Sequence, residues 1–309
     1  MNIQQILNRF YSSVLVLSIS VFVYGAQFLD FRYRSVTIAD GLRSNTVRHL
    51  AQDQRGFVWM GTDNGLCRYD GYEVEYYPIL EIGSDQYISA LFPLPDGMLV
   101  GTAHGAFYFD YSTEKFSRFV PQIKSEISSI AKDQDGNIWL STIGQGVFRY
   151  HVKSQDLSHF AFKFSKNCVT QVFIDSDNQV WAIAKYGLSA ISKFNKARNC
   201  FQLRQFRTDI NTSDARIIQA HNREFWLGTW NDGLYRMTDG RLIHVLDPAL
   251  TGVGKHIHTL VEMPDDKMYL GCDEGVIVYD EKTGKWNKLD FQGDHLNFID
   301  GKFVYSILT

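Results

Sequence analysis

Only six of the 309 residues are proline, too few for a Pro-rich linker or an extended disordered tract. Four cysteines, Cys67, Cys168, Cys200 and Cys272, stand far apart with no CxxC pair, which removes the usual zinc and thioredoxin-like spacings. Neither sign of charge dominates: 31 Lys and Arg face 34 Asp and Glu, a formal net charge of −3. The basic footprint of a nucleic-acid binder is therefore missing. No apolar period of 3.6 residues persists beyond two turns, so a helical solenoid is excluded. GxSxG, HExxH, GxGxxG and P-loop patterns are absent too; "TGVGKH" at 251–256 lacks the first glycine of a P-loop. The expectation is a chain with no catalytic module, cofactor or metal.

What the chain does contain is aromatic residues, 14% of the total, and a repeat. "FVWMGTDNGLCRYDG" at 57–71 returns as "MLVGTAHGAFYFD" around Leu99, "IWLSTIGQGVFRY" around Trp139 and "VWAIAKYGLSAIS" around Trp181. Two further copies are "FWLGTWNDGLYRM" around Trp226 and "MYLGCDEGVIVYD" around Tyr269. The bulky anchors are 40, 40, 42, 45 and 43 residues apart, a period that marks a stacked or radial array. Each copy reads as four short strands. A first strand such as "TVRHLAQ" (46–52) meets a polar turn ("DQRG", "LPDG", "DQDG", "DSDN"), where Asp, Asn and Gly supply turn geometry. The second strand carries the anchor and a Gly-Thr pair, and a hairpin such as "DNG" or "WNDG" leads to the third. An aromatic-rich fourth strand closes the unit, as in "EKFSRF" and "GKWNKLDF". Four antiparallel strands repeated radially are the blades of a β-propeller. Both faces of a blade are buried against its neighbours, so Trp59, Trp139, Trp181 and Trp226 are expected to fill the wedges between blades.

Six units are complete. "FVYSILT" (303–309) aligns with the first strand of a seventh, and "FLDFRYRSVT" (28–37) resembles a fourth strand without partners. The expected fold is thus all-β, an incomplete seven-bladed ring with six complete blades plus a partial seventh, truncated at its C-terminus. The propeller would occupy 27–309. Before it, "VLVLSISVFV" (14–23) is an apolar run short for a bilayer span, preceded by Arg9 and followed by Gly25 and Ala26. That is the layout of a signal peptide over 1–26. Export to the periplasmic side of the inner membrane follows. Cys168 and Cys200 would open the first and last strands of one unit, about three strand spacings apart, too far for a disulfide. All four cysteines are expected to be buried thiols.

The stretch "IADGLRSNTVRHLAQDQRGFVWMGTDNGLCRYDGYEVEYY" (38–77) resembles the two-component regulator propeller repeat. It is similar to the N-terminal periplasmic sensor region of hybrid two-component histidine kinases from glycan-degrading gut bacteria. The resemblance implies a parent that senses an oligosaccharide and regulates glycan utilisation through a phosphorelay. It implies partners within that parent, a second propeller and further sensor domains, and a possible homodimer.

In a propeller the hairpins between second and third strands emerge on one face. That ring offers Asp63, Asn64, His104, Gln145, Lys185, Tyr186, Trp230, Asn231, Asp232, Asp273 and Glu274. Carbohydrate recognition uses amides and carboxylates for hydroxyl groups and a flat aromatic for the CH face of the sugar. Trp230 stands out, because a Trp in "TWNDG" has no turn-forming duty; Asn64, Asp232 and Glu274 also read as plain turn formers. Connections such as "LDPALTGVGK" and "FRTDINTSD" share this face and could instead dock a domain or a second protomer. "HIH" (His256, His258) places two imidazoles on one strand face, yet no third metal ligand is identifiable. "DQDGN" (133–137) resembles a calcium loop without its terminal Glu and recurs as a turn. Two other classes stay open: a glycan-acting propeller enzyme, which needs paired carboxylates, and a non-catalytic interaction scaffold.

Overall fold

The computed structural model describes residues 35–185, 191–204, 215–238, 240–248, 252, 254–289 and 303–308. The leader at 1–26, the lone strand expected from 28 as far as residue 34, Tyr186 and the "FRTDINTSD" connection lie outside the described residues. The chain divides into Met1–Val36 and Thr37–Thr309, and the second unit holds everything below.

That unit is six four-stranded antiparallel sheets, each in simple sequence order. The first is β1 (Val47–Gln52), β2 (Val58–Thr62), β3 (Gly65–Tyr69) and β4 (Val74–Tyr77). The second is β5 (Ile88–Pro93), β6 (Gly97–Thr102), β7 (Gly105–Asp110) and β8 (Lys115–Phe119). The third is β9 (Ile127–Lys132), β10 (Ile138–Thr142), β11 (Gly146–His151) and β12 (Asp156–Phe160). The fourth is β13 (Val169–Ile174), β14 (Val180–Ala184), β15 (Ile191–Asn195) and β16 (Cys200–Leu203). The fifth is β17 (Arg216–Gln219), β18 (Phe225–Gly228), β19 (Leu234–Thr238) and β20 (Arg241–Leu246). The sixth is β21 (Ile257–Glu262), β22 (Lys267–Cys272), β23 (Gly275–Asp280) and β24 (Lys285–Lys288). First strands touch in series, β1 to β5 to β9 to β13 to β17 to β21. This is a propeller ring with the first strands innermost.

The tryptophans wedge the blades as their spacing requires. Trp59, Trp139, Trp181 and Trp226 are all buried. Each reaches into the following blade: Trp59 packs with Met98 and Phe109, and Trp139 with Val172 and Phe194. Trp181 meets Ile217 and Leu227, and Trp226 meets Leu260 and Met268. Three of the indoles are also hydrogen-bonded. Trp59 Nε1–H donates to Asp53 at 2.9 Å, Trp139 to Asp133 at 2.8 Å and Trp181 to Asp175 at 2.8 Å. The acceptor is the first residue of the polar turn, and its other oxygen takes turn N–H groups such as those of Phe57, Asn137 and Gln179. In the fifth blade Ala220 holds that place, and Trp226 Nε1 has no acceptor among the described residues.

The glycine two residues after the anchor lets successive blades close up. A methyl on Gly61 would stand 2.7 Å from Ile88 Cγ2, and one on Gly101 2.8 Å from Ile127 Cβ; real contacts never come this near. Between the fourth and fifth blades the sizes are reversed, with Ile183 and Ala215 buried in one cluster. A methyl on Gly271 of the sixth blade would likewise stand 2.5 Å from Val304 O and 2.9 Å from Val304 Cγ1.

The partial seventh blade is not shown, and the expectation for the cysteines is corrected. Residues 303–308, read as the first strand of a seventh blade, carry no strand in the structure. Val304 N–H donates to Cys272 O at 3.0 Å, and Leu50 N–H donates to Ser306 Oγ at 3.2 Å; with so few ladder bonds, the segment touches the sixth blade and the first without pairing regularly with either. The cysteines are all free, but only Cys67 and Cys272 are buried; Cys168 and Cys200 are half-exposed. Cys168 precedes β13, and Cys200 begins the outermost strand of its sheet, where nothing covers it fully.

Candidate functional site

Inner strands of five blades carry the same irregularity. Registers shift between Val47 and His49, Ile88 and Ala90, and Val169 and Gln171. The same happens opposite Ser141–Thr142 and between Ile257 and Thr259. One extra residue is left unpaired each time: Arg48, Ser89, Ser128, Thr170 and His258. Such a bulge re-aims its side chain. Four of the five, all but Ser89, line a cavity of about 740 Å³ that touches every inner strand and is therefore the axial channel.

Three of the hairpin residues singled out by sequence converge on this channel: Lys185, Trp230 and Asp273. Trp230 is 43% exposed. Its ring stacks on His256, with centroids 4.9 Å apart and an 18° interplanar angle, and stands edge-on to His258 at 5.3 Å. Asp273 joins the two imidazoles, one oxygen at 2.5 Å from His256 Nδ1 and the other at 2.5 Å from His258 Nε2. Burial opposes the Asp273 charge, but the hydrogen bonds from both histidines outweigh it and hold the carboxyl below its ordinary range. Tyr305 closes the group, 4.8 Å from His258 and under the Arg48 guanidinium at 4.3 Å. Among the described residues no group of three or more His, Cys, Asp or Glu is arranged to hold a metal ion.

The other candidates are placed apart from that cluster. Asp63 holds Arg48 in an ion pair at 2.8 Å, which brings it to the rim through its partner. His104 faces Asp85 at 2.8 Å. Gln145 Oε1 accepts from the N–H groups of Lys124 and Ser125, an interblade brace. Asp232 accepts from Tyr235 Oη at 2.6 Å, which fixes its own hairpin. Asn64, His104, Gln145 and Asp232 each give their backbone N–H to the preceding Thr hydroxyl. That hydroxyl also donates to the glycine carbonyl across the turn, as Thr62 does to Gly65. These residues therefore act as turn formers. Asn231 is exposed and Glu274 half-buried; neither lines the channel.

Sequence reading missed the wall itself: Arg48, His49, Tyr87, Arg216 and Tyr305. The available signal was a polar residue near the start of successive first strands, at 48, 128, 170 and 258. His49 is half-buried on β1, and its desolvation, followed by the charges of Arg216 and Arg48, pushes its pKa down to about 4.

Comparison with known proteins places this geometry. A family model described as two component regulator propeller matches residues 41–64 and 122–144. The chain is 24% identical to histidine kinase P4 of Formosa agariphila over 91% of its own length and 23% of that protein, so it spans about a quarter of that relative. Two solved structures from B. thetaiotaomicron, described as extracellular domains of hybrid two component systems, share the fold. BT3049 gives a TM-score of 0.73 at 17% identity, over 89% of this chain and 39% of that one. BT4673 gives 0.72 at 18%, over 86% and 36%. Among the described residues no helix is long and apolar enough to cross a membrane. The match at 41–64 falls within the stretch 38–77 that resembles this repeat in sequence, and the match at 122–144 covers the corresponding part of the third blade.

Proposed function

We propose that this chain is the extracytoplasmic ligand-sensing propeller of a hybrid two-component signalling protein, and that its ligand is an oligosaccharide seated at the mouth of the axial channel. The parent's output would be a phosphorelay controlling glycan utilisation, with the apolar leader directing export. The repeat match and the fold likeness to extracellular domains of such systems support the signalling part. The observation that carries the ligand part is the convergence of Trp230, Lys185 and Asp273, from three different hairpins, on one opening. An exposed flat indole held in place by His256 suits the CH face of a pyranose. The connections between blades on the same rim are available to a second propeller or a second protomer. We read 303–308 as the inner position of a seventh leaf, because Gly271 meets Val304 as Gly61 meets Ile88.

A glycosidase reading needs two carboxylates flanking the bond to be cleaved. Asp273 is the one carboxylate among the described lining residues, and both its oxygens are engaged by histidines. Titration of the full chain with an oligosaccharide panel, followed by indole fluorescence and by product analysis, tests the proposal. Binding without products is expected, and Trp230→Ala should weaken it by about tenfold or more, the scale of a lost aromatic contact. Turnover of any member of the panel would overturn the sensor reading in favour of an enzyme.

A further inference from the structure

The channel differs in charge from the molecule that encloses it. Over the whole chain acids exceed bases, with a formal net charge of −3. The described lining residues carry three permanent cations, Arg48, Lys185 and Arg216, against the single carboxylate Asp273. That carboxylate is already shared between His256 and His258. Arg48 is braced by Asp63 at the rim. Arg216, on β17, donates from Nη1 to Thr170 O of the neighbouring blade at 3.1 Å, which fixes its guanidinium against the wall. Lys185 comes from the fourth hairpin, near enough to Glu126 to offset part of the burial that raises that carboxyl. His49 stands on the same wall, and after its desolvation the charges of Arg216 and Arg48 both oppose its protonation. A recess walled by low-dielectric sheet focuses such a field on whatever enters.

Beside these cations stand flat faces. Trp230, Phe303 and Tyr305 all border the same opening, with Phe303 59% exposed. Cationic forks next to aromatic platforms are complementary to a sugar ring that carries an anionic substituent, since guanidinium binds carboxylate and sulfate oxygens in the same bidentate way. We infer that the ligand of this channel is an acidic oligosaccharide, its carboxylate or sulfate ester directed to Arg48, Arg216 and Lys185 and a pyranose face laid on Trp230. This rests on the saccharide-binding reading above and adds the charge of the ligand to it.

Calorimetric titration of the full chain with charge-matched pairs is the test. One pair is a galacturonate trimer and its methyl ester; the other is a sulfated galacto-oligosaccharide and its desulfated form. Inorganic sulfate serves as the sugar-free control. The acidic member of at least one pair should bind about tenfold or more tightly than its neutral partner, and added salt should weaken it. Whichever pair discriminates tells carboxylate from sulfate ester. Arg216→Gln and Lys185→Gln should each cost about tenfold for the acidic member and shrink its advantage over the neutral one. Lys185 sits on a hairpin, so its variant keeps the test valid if Arg216→Gln disturbs folding. Equal binding within both pairs, unaffected by either variant, overturns the inference and leaves the saccharide reading standing. Absence of binding by all four overturns both. Inorganic sulfate competing as well as the sulfated oligosaccharide overturns the saccharide reading and with it the acidic-sugar assignment.

Discussion

A buried indole N–H needs an acceptor, and in three blades the turn residue six positions earlier supplies one. Asp133 serves Trp139 and the turn amide of Asn137 together. Asp133→Ala should therefore cost about 1–3 kcal/mol, the price of leaving a buried donor unpaired, read as a fall in urea midpoint at constant m. The converse experiment is Ala220→Asp, which offers Trp226 the acceptor it lacks. A gain near 1 kcal/mol would raise Tm by about 2–4 °C; a drop would mean that the fifth turn cannot accommodate the carboxylate. His49 governs acid sensitivity. Its folded pKa is about 4 against an ordinary 6.5, so the unfolded chain takes up the proton first as pH falls. The His49 contribution should be complete above pH 6.5 and be lost as pH falls from 6.5 to 4, by about 3 kcal/mol at most. His49→Gln should flatten that limb, which urea midpoints at successive pH values would show. The tryptophan period was plain in the sequence, and so was the turn aspartate. Their bond was not, because a residue that suffices as a turn former gives no sign of a second partner.

At the level of strands and joints, the close approach of blades depends on one small residue facing one branched residue. Gly271→Val would press on Val304 and lift 303–308 from the seam. Faster chymotryptic cleavage at Tyr305, with the ring otherwise folded, is the expected result; unchanged protection would show that the segment is held elsewhere. Strand number, order and turns were legible, since each unit repeats turn chemistry and apolar spacing. The inner-strand bulges were not. One added residue at the same point of five repeats leaves the repeat length regular, so the recurrent polar residue at 48, 128, 170 and 258 was the one trace of it. Yet this irregularity is what turns Arg48, Thr170 and His258 into the channel. Of the hairpin residues, Trp230, Lys185 and Asp273 line the channel, whereas Asn64, Gln145 and Asp232 are engaged within their own turns or joints.

Considered as a ring, the molecule is a series of neighbour-to-neighbour joints, and such arrays yield first at their poorest joint. The fifth blade has the weakest credentials. Its two inner strands, Arg216–Gln219 and Phe225–Gly228, are four residues each; its turn lacks the aspartate, and its indole goes without an acceptor. Hydrogen exchange should reach the amides of β17 and β18 before those of β9 and β10, and the reverse order would contradict this ranking. The same blade carries Trp230 at its tip. Under the proposed saccharide reading, the indole platform is thus mounted on the leaf expected to open first. A bound molecule gripping that indole together with Lys185 and Tyr305 would stiffen the leaf by tying it to the fourth blade and the seam, so occupancy would be reported as a loss of local motion more than as a change of shape.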